Sequence, residues 1–185
     1  MKKLISLGLT AGFLWVIPNL GECGKKSSKT NNTASTQAIQ NKTCGYYLRY
    51  PKGSQLEHPE TCTLRIILPE FKGQEWIQEA SITLEVTAAE NGVATEKPVD
   101  GDSPVIGTLT AGGMKFSKTV DGDAGAGHVH TIVSYTGVGK KHQYHFVGML
   151  SSRNPEIEGK PVKNWDPQKS AEKIFDGLVL GFRPL

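Results

Sequence analysis

Histidine is the residue type whose spacing in this sequence points most directly to a chemistry. Four of the five histidines lie between residues 128 and 145. His128 and His130 are two positions apart on a predicted strand, so their side chains share one face. If the apolar residues of this strand and the next both point to the core, His145 falls on the same face and His142 on the other. Three imidazoles can coordinate Zn²⁺ or Cu²⁺. We therefore expect structural or surface roles for His128, His130 and His145 and no bound cofactor, with a Zn²⁺ or Cu²⁺ site at these three residues as the alternative.

The connection between these two strands decides whether the histidines meet. A type II′ turn at Gly137-Val138 places His130 directly opposite His145. A four-residue loop places the same two histidines on a diagonal. In either arrangement the three candidate ligands are close neighbours on one face of a hairpin.

Other residue patterns argue against a recognisable catalytic site. No serine stands in the Gly-x-Ser-x-Gly arrangement of an α/β-hydrolase nucleophile. The glycine-rich stretch 122–127 precedes a predicted strand and lacks the Gly-Lys-Ser/Thr end of a phosphate-binding loop. The Asp-Gly-Asp strings at 100–102 and 121–123 lack the distal glutamate of an EF-hand. We therefore expect a non-catalytic protein, with a secreted enzyme of unrecognised site as the alternative.

Cysteine usage suggests an oxidising compartment. The chain has three cysteines, and Cys44 and Cys62 stand eighteen residues apart in the predicted domain. Two such residues in an exported protein are expected to form a disulfide, which stabilises a loop of this length by about 3 kcal/mol. The alternative is two free thiols. A zinc site is disfavoured because neither cysteine belongs to a Cys-x-x-Cys pair.

The N-terminus has the pattern of an export signal. Lys2 and Lys3 precede an apolar run, 4–17, which is too short for a permanent transmembrane helix. Leu20-Gly21-Glu22-Cys23 resembles the lipobox of bacterial lipoproteins, which implies that Cys23 becomes a lipidated first residue. Glu22 departs from that pattern, because a small residue normally precedes the cysteine. We expect a signal peptide over 1–22 and lipidation at Cys23, with plain secretion as the alternative.

The rest of the chain divides into a tether and one domain. Residues 23–43 are mostly Lys, Ser, Thr, Asn and Gln, which cannot bury enough apolar surface to fold, so a disordered polar tether is expected there. Residues 44–185 are the size of one ordinary domain. The net charge of +3 in 185 residues gives no basic footprint for nucleic acid.

Apolar periodicity within 44–185 predicts strands followed by one helix. Strands are expected at 45–50, 62–68, 80–88, 105–109, 114–120, 128–136 and 142–150. A helix is expected over 166–179, with Asp166 as its cap and Pro167 in its first turn. There is no alternation of strands and helices, so we expect an α+β domain with a mainly antiparallel sheet and the C-terminal helix packed on it.

The segment from about Val105 onward resembles a group of uncharacterised bacterial exported lipoprotein domains. The similarity lies in a small-residue segment, 124–127, an aromatic strand with Tyr144 and Phe146, and a closing helix, 174–179, followed by Gly-Phe-Arg. The closing pattern is similar to that of the PsbP-type extrinsic subunit of photosystem II, which implies an antiparallel sheet with helices against it. Related domains often carry a cysteine in the aromatic strand, where this chain has Gln143-Tyr144. The group has no known catalytic residues to transfer.

These observations together predict an exported envelope protein with a binding or accessory role. Its expected partners are a membrane, through the N-terminal lipid, and an unidentified protein or small molecule. It would face the periplasm or the cell surface, or else be periplasmic or secreted. The alternative function is metal binding by the histidine face.

Overall fold

A computed structural model describes residues 35–71, 74–94, 103–155, 157, 159 and 165–185. All of them belong to one compact unit. The predicted signal peptide 1–22, Cys23 and the tether up to residue 34 lie outside the described residues, as do Asp100 and Asp102. No helix in the described chain is long and apolar enough to cross a bilayer.

Most strands form one large sheet. Its members are β3 (Gln55–Glu57), β4 (Thr63–Ile67), β5 (Ile77–Glu90), β6 (Val93–Ala94), β7 (Val105–Ala111), β8 (Met114–Gly125), β9 (His128–Val138) and β10 (His142–Arg153). Their order is β3-β4-β5-β10-β9-β8-β7, with β6 paired to β5. Every pairing is antiparallel. The long central strands β5, β10 and β9 alternate apolar and polar residues, so one face of the sheet is apolar.

A second, smaller sheet contains the two ends of the described chain. Its strands are β1 (Thr36–Asn41), β2 (Tyr46–Pro51) and β11 (Phe182–Pro184). The central strand β2 pairs antiparallel with both neighbours. Tyr46, Leu48 and Tyr50 are buried, whereas Arg49 between them is exposed. The small sheet therefore also has one core face and one outer face.

The single helix of the described chain, α1, spans Pro167–Val179. The Asp166 side chain accepts a hydrogen bond from the backbone N–H of Lys169, and Pro167 occupies the first turn, as predicted. Ala171, Phe175 and Val179 recur every four residues and are fully buried. This apolar stripe places α1 against β9 and β10 on the core face of the large sheet.

The core lies between the large sheet and the layer formed by α1 and the small sheet. Phe182 of β11 makes edge-to-face ring contacts with three core aromatics of the large sheet: Phe116, Tyr144 and Phe146. On β10, Gly148 lies under the ring of Phe175 at van der Waals contact. The expected fold class, an antiparallel sheet with a C-terminal helix packed on it, is confirmed.

The tether boundary predicted at residue 43 was wrong, because Thr36–Asn41 already forms β1. This strand is at the edge of the small sheet and exposes most of its side chains, so its composition is that of a polar linker. Only Ile39 packs against the core. Its position in the fold is set by backbone pairing with β2, opposite Leu48, which a composition argument does not detect.

Candidate functional site

The two domain cysteines form the expected disulfide. Cys44 lies in the turn between β1 and β2, and Cys62 directly precedes β4; their Cα atoms are 5.4 Å apart. Cys44 is 1% exposed and belongs to the core. The bond therefore links the small sheet covalently to the large one, in addition to closing a loop.

The strand register does not bring His145 close to His128 and His130, as the alternative metal site would require. The histidines do share one face of the large sheet, because odd residues of β10 pair with even residues of β9. However, His145 pairs with Thr136, whereas His130 pairs with Ser151. Six residues of strand separate the two positions, or roughly 20 Å. The β9–β10 connection runs through 139–141 rather than through a Gly137-Val138 turn, which shifts the register while preserving the faces.

Each histidine has its own surroundings. The Nδ1 of His128 lies 2.9 Å from the Gln78 Oε1, which orients the ring at the surface. His130 is opposite Asp123 and lines a cavity of about 450 Å³ beside the start of α1. His145 is 5% exposed, with Nδ1 3.9 Å from a Glu85 carboxylate oxygen. In the part of the chain that the structure describes, no group of three or more His, Cys, Asp or Glu side chains is arranged to hold a metal.

The glycine-rich stretch 122–127 ends β8 and closes the hairpin to β9. Residues 121–125 continue β8, and the turn to β9 is made by Ala126 and Gly127. Both turn residues have left-handed backbone angles, with φ of 49° and 82°. A glycine tolerates this conformation without a steric penalty. The stretch is therefore structural.

A partly buried polar network that the sequence did not predict attaches α1 to the large sheet. Lys118 of β8 donates hydrogen bonds to Glu172 at 2.7 Å and to Asp176 at 3.2 Å. The hydroxyl of Tyr135 on β9 donates to Asp176 at 2.7 Å. Tyr135 is fully buried and the Lys118 side chain is 12% exposed. These bonds fix which part of α1 lies over β8 and β9.

The contacts of this network shift the pKa values of Tyr135, Lys118 and Glu172. Burial raises the pKa of Tyr135, and the hydrogen bond to Asp176 raises it further, so the phenol stays a donor. Burial lowers the pKa of Lys118, but the bonds and charges of Glu172 and Asp176 outweigh it and raise the pKa overall. The hydrogen bond from Lys118 lowers the pKa of Glu172 against a smaller effect of burial. Lys118 and Glu172 are thus both charged near neutral pH.

Replacing Lys118 with methionine is expected to lower the free energy of unfolding by about 2 kcal/mol at pH 7. This loss lies between the cost of breaking an exposed ion pair, below about 1 kcal/mol, and that of breaking a fully buried pair, about 3–5 kcal/mol. Urea unfolding measures it, and Lys115→Met, an exposed position on the same strand, is the control. An equal effect in both variants would contradict the role assigned to Lys118.

The same comparison has a pH dependence with a definite sign. Glu172 has a lowered pKa, so its contribution is present above its ordinary value of 4.5 and is lost as pH falls through the folded value. Lys118 has a raised pKa, so its contribution is complete below 10.5 and is lost as pH rises through the folded value. The stability difference between wild type and Lys118→Met is therefore expected to be largest between these limits and to shrink outside them.

An arginine–tyrosine cluster lies on the outer face of the small sheet. The Nε of Arg49 donates to the Tyr47 hydroxyl at 3.2 Å, two positions away on β2. The guanidinium of Arg183 lies 5.7 Å from the centroid of the Tyr47 ring, because Arg183 is its register partner on β11. We call Tyr47, Arg49 and Arg183 the arginine face. It presents two exposed cations at fixed positions, directed away from the core.

Comparison with known proteins gave structural neighbours only. No protein-family model matches the chain, and no curated protein matches it. A crystal structure from Bacteroides thetaiotaomicron aligns with a TM-score of 0.47 and 7% identity, over 76% of this chain and 45% of that one. This chain therefore spans less than half of that protein.

Two further neighbours have names. LpqN of Mycobacterium tuberculosis, described as involved in cell envelope biogenesis, has a TM-score of 0.42 and 11% identity, over 83% of this chain and 86% of that one. Cyanobacterial PsbP (CyanoP) of Synechocystis sp. PCC 6803 has a TM-score of 0.25 and 14% identity, over 90% of this chain and 99% of that one. A PsbP protein is thus among the neighbours. At these scores and identities the likenesses assign the chain to no family.

Proposed function

We propose that this chain is an exported protein, anchored by lipid at Cys23, that has an accessory role in the cell envelope through binding rather than catalysis. The observation that carries the proposal is the Cys44–Cys62 disulfide, with Cys44 buried in the core. Disulfides form and persist in oxidising compartments and are rare in the reducing cytosol. A disulfide that joins two sheets and has one cysteine in the core fits a protein that folds after export.

The N-terminal sequence supports both the export and the anchor. Two lysines, a short apolar run and Leu20-Gly21-Glu22-Cys23 stand in the order of a lipoprotein signal. Cys23 stands thirteen residues before the start of β1 at Thr36. Thirteen residues span at most about 45 Å when fully extended, so an anchor at Cys23 keeps the domain close to the membrane surface.

We propose binding rather than catalysis because the side chains that could act as acids, bases or metal ligands are used in structural contacts. Lys118, Tyr135 and Asp176 hold α1 on the sheet. His128 bonds Gln78, and the strand register separates His128 and His130 from His145. The arginine face, in contrast, presents exposed charged groups.

Cell fractionation after expression in a bacterial host tests the proposal. The wild-type chain is expected in the membrane fraction and resistant to release by high salt. The Cys23→Ala variant is expected in the soluble periplasmic fraction, because it keeps the signal but lacks the acyl attachment site. A wild-type chain that stays in the cytoplasm, or that distributes as the variant does, would contradict the lipid anchor.

A further inference from the structure

We infer that the outer face of the small sheet is a membrane-docking surface that takes the anionic lipid headgroups of the bilayer holding the anchor. The inference deepens the proposed function and rests on its lipid anchor for the identity of that bilayer. It is carried by three features of the small sheet: its charge, the fixed geometry of its arginines, and the exposed leucines beside them.

The charge of the small sheet is of one sign. The segments that form it, 36–52 and 180–185, contain four basic residues and no aspartate or glutamate. These are Lys42, Arg49, Lys52 and Arg183, and all four are exposed. The whole chain carries a net charge of +3, so acidic residues outnumber basic ones in the remainder. Residues 1–34 contain five lysines and one glutamate, so from residue 35 onward the part outside the small sheet has twelve basic and seventeen acidic residues. Within the domain, net positive charge is therefore found in the small sheet.

The arginines of this surface are held in place by Tyr47. One guanidinium is bonded to its hydroxyl, and the other lies over its ring. Because Tyr47 and Arg49 are two apart on β2 and Arg183 pairs with Tyr47, all three side chains stand on the outer face. Two arginines held this way lose less conformational freedom when they bind phosphate oxygens than free side chains would.

Exposed leucines stand at both ends of β11. Leu180 directly precedes the turn into the strand and is 56% exposed, and Leu185 directly follows the strand and is 59% exposed. Leu180 and Arg49 also line one apolar groove of about 400 Å³ between α1 and the small sheet. Basic side chains together with exposed leucines are the combination by which peripheral proteins enter the headgroup region of a bilayer.

The position of the small sheet in the chain selects a membrane as the partner. It begins thirteen residues after Cys23, earlier than any other described element. An anchor there brings this sheet to the lipid surface first, so weak contacts act at a high effective concentration. Each basic residue at an anionic surface contributes about 1 kcal/mol of binding free energy, which strengthens the binding constant about fivefold.

Vesicle co-sedimentation of the mature chain, residues 23–185, with Cys23→Ala separates docking from anchoring, because this chain has neither the apolar run 4–17 nor the acyl attachment site. We expect binding to vesicles of phosphatidylcholine with phosphatidylglycerol, loss of that binding at high salt, and little binding to phosphatidylcholine alone. Arg49→Gln with Arg183→Gln is expected to weaken binding about 25-fold, from two steps of about fivefold. Thermal unfolding of each variant checks that it is folded.

The matched control is Arg65→Gln with Lys169→Gln, which removes the same charge from positions outside the small sheet. Its binding is expected to fall less than threefold. Docking by this surface is overturned if the unlipidated chain binds no vesicles, if it binds neutral vesicles equally, or if the control pair weakens binding as much as the arginine pair. None of these results affects the fractionation of the lipidated chain, so failure of docking and failure of the anchor are distinguishable.

Discussion

Replacing Phe175 with alanine is expected to lower the free energy of unfolding by about 4 kcal/mol. Phe175 is fully buried on α1 and covers Gly148 in the middle of β10. Truncating a buried phenylalanine removes its transfer free energy and leaves a cavity, which together cost about 3–5 kcal/mol. Denaturant unfolding followed by fluorescence or circular dichroism measures the change.

The reciprocal substitution tests the same contact from the sheet side. A Cβ atom on Gly148 would stand 2.5 Å from the Phe175 ring, so Gly148→Ala is expected to cost about 1–3 kcal/mol by overpacking. Gly107→Ala on β7 is the matched control, because a Cβ there meets nothing within 4 Å. Equal tolerance of alanine at both positions would contradict the packing of α1 on β10.

Removing the disulfide with Cys44→Ser and Cys62→Ser is expected to lower the free energy of unfolding by about 3 kcal/mol. The bond closes a loop of eighteen residues, and such loops contribute about this much in the chain-entropy model. Because it also joins the two sheets, its loss should loosen the small sheet first. Hydrogen exchange of β2 amides, compared with those of β10, measures that local effect.

A chemical control accompanies the serine variant. The wild-type chain in a thiol reductant should unfold at the denaturant midpoint of the double variant, and the reductant should not change the variant itself. Identical midpoints for the oxidised wild type and the double variant would show that the bond contributes nothing to stability.

Much of the fold was predictable because apolar and polar residues alternate clearly within its strands and its helix. In β5, Ile82 and Leu84 face the core and Thr83 between them does not, so the strand could be identified by its period of two. In α1, the cap at Asp166 and the apolar residues at intervals of four predicted both ends of the helix to within one residue. The disulfide was predicted from the positions of Cys44 and Cys62 in the domain and from the expected export of the chain.

Register and polar pairing were not predictable in the same way. A slip by an even number of residues leaves every side chain of a strand on its original face, so the apolar pattern could not fix the β9–β10 register. The histidine prediction therefore had the right face and the wrong neighbours. Lys118 was a detectable signal, because it occupies a core-facing position between Phe116 and Val120. Its partner Asp176 lies fifty-eight residues away, and no local pattern joins them.

The arginine face shows the same limit. Tyr47 and Arg49 share a face by their spacing, and that much was available from the sequence. Arg183 joins them because β11 returns to pair with β2 at the opposite end of the described chain. Only the three-dimensional structure brings that third residue over the tyrosine ring.

The most direct test of an exported, lipid-anchored protein is the intact mass of the mature chain purified from bacterial membranes. A chain that begins at Cys23 and carries the mass of attached acyl groups is the predicted result. A chain that begins downstream of Cys23 without acyl mass, or that still contains residues 1–22, would contradict it.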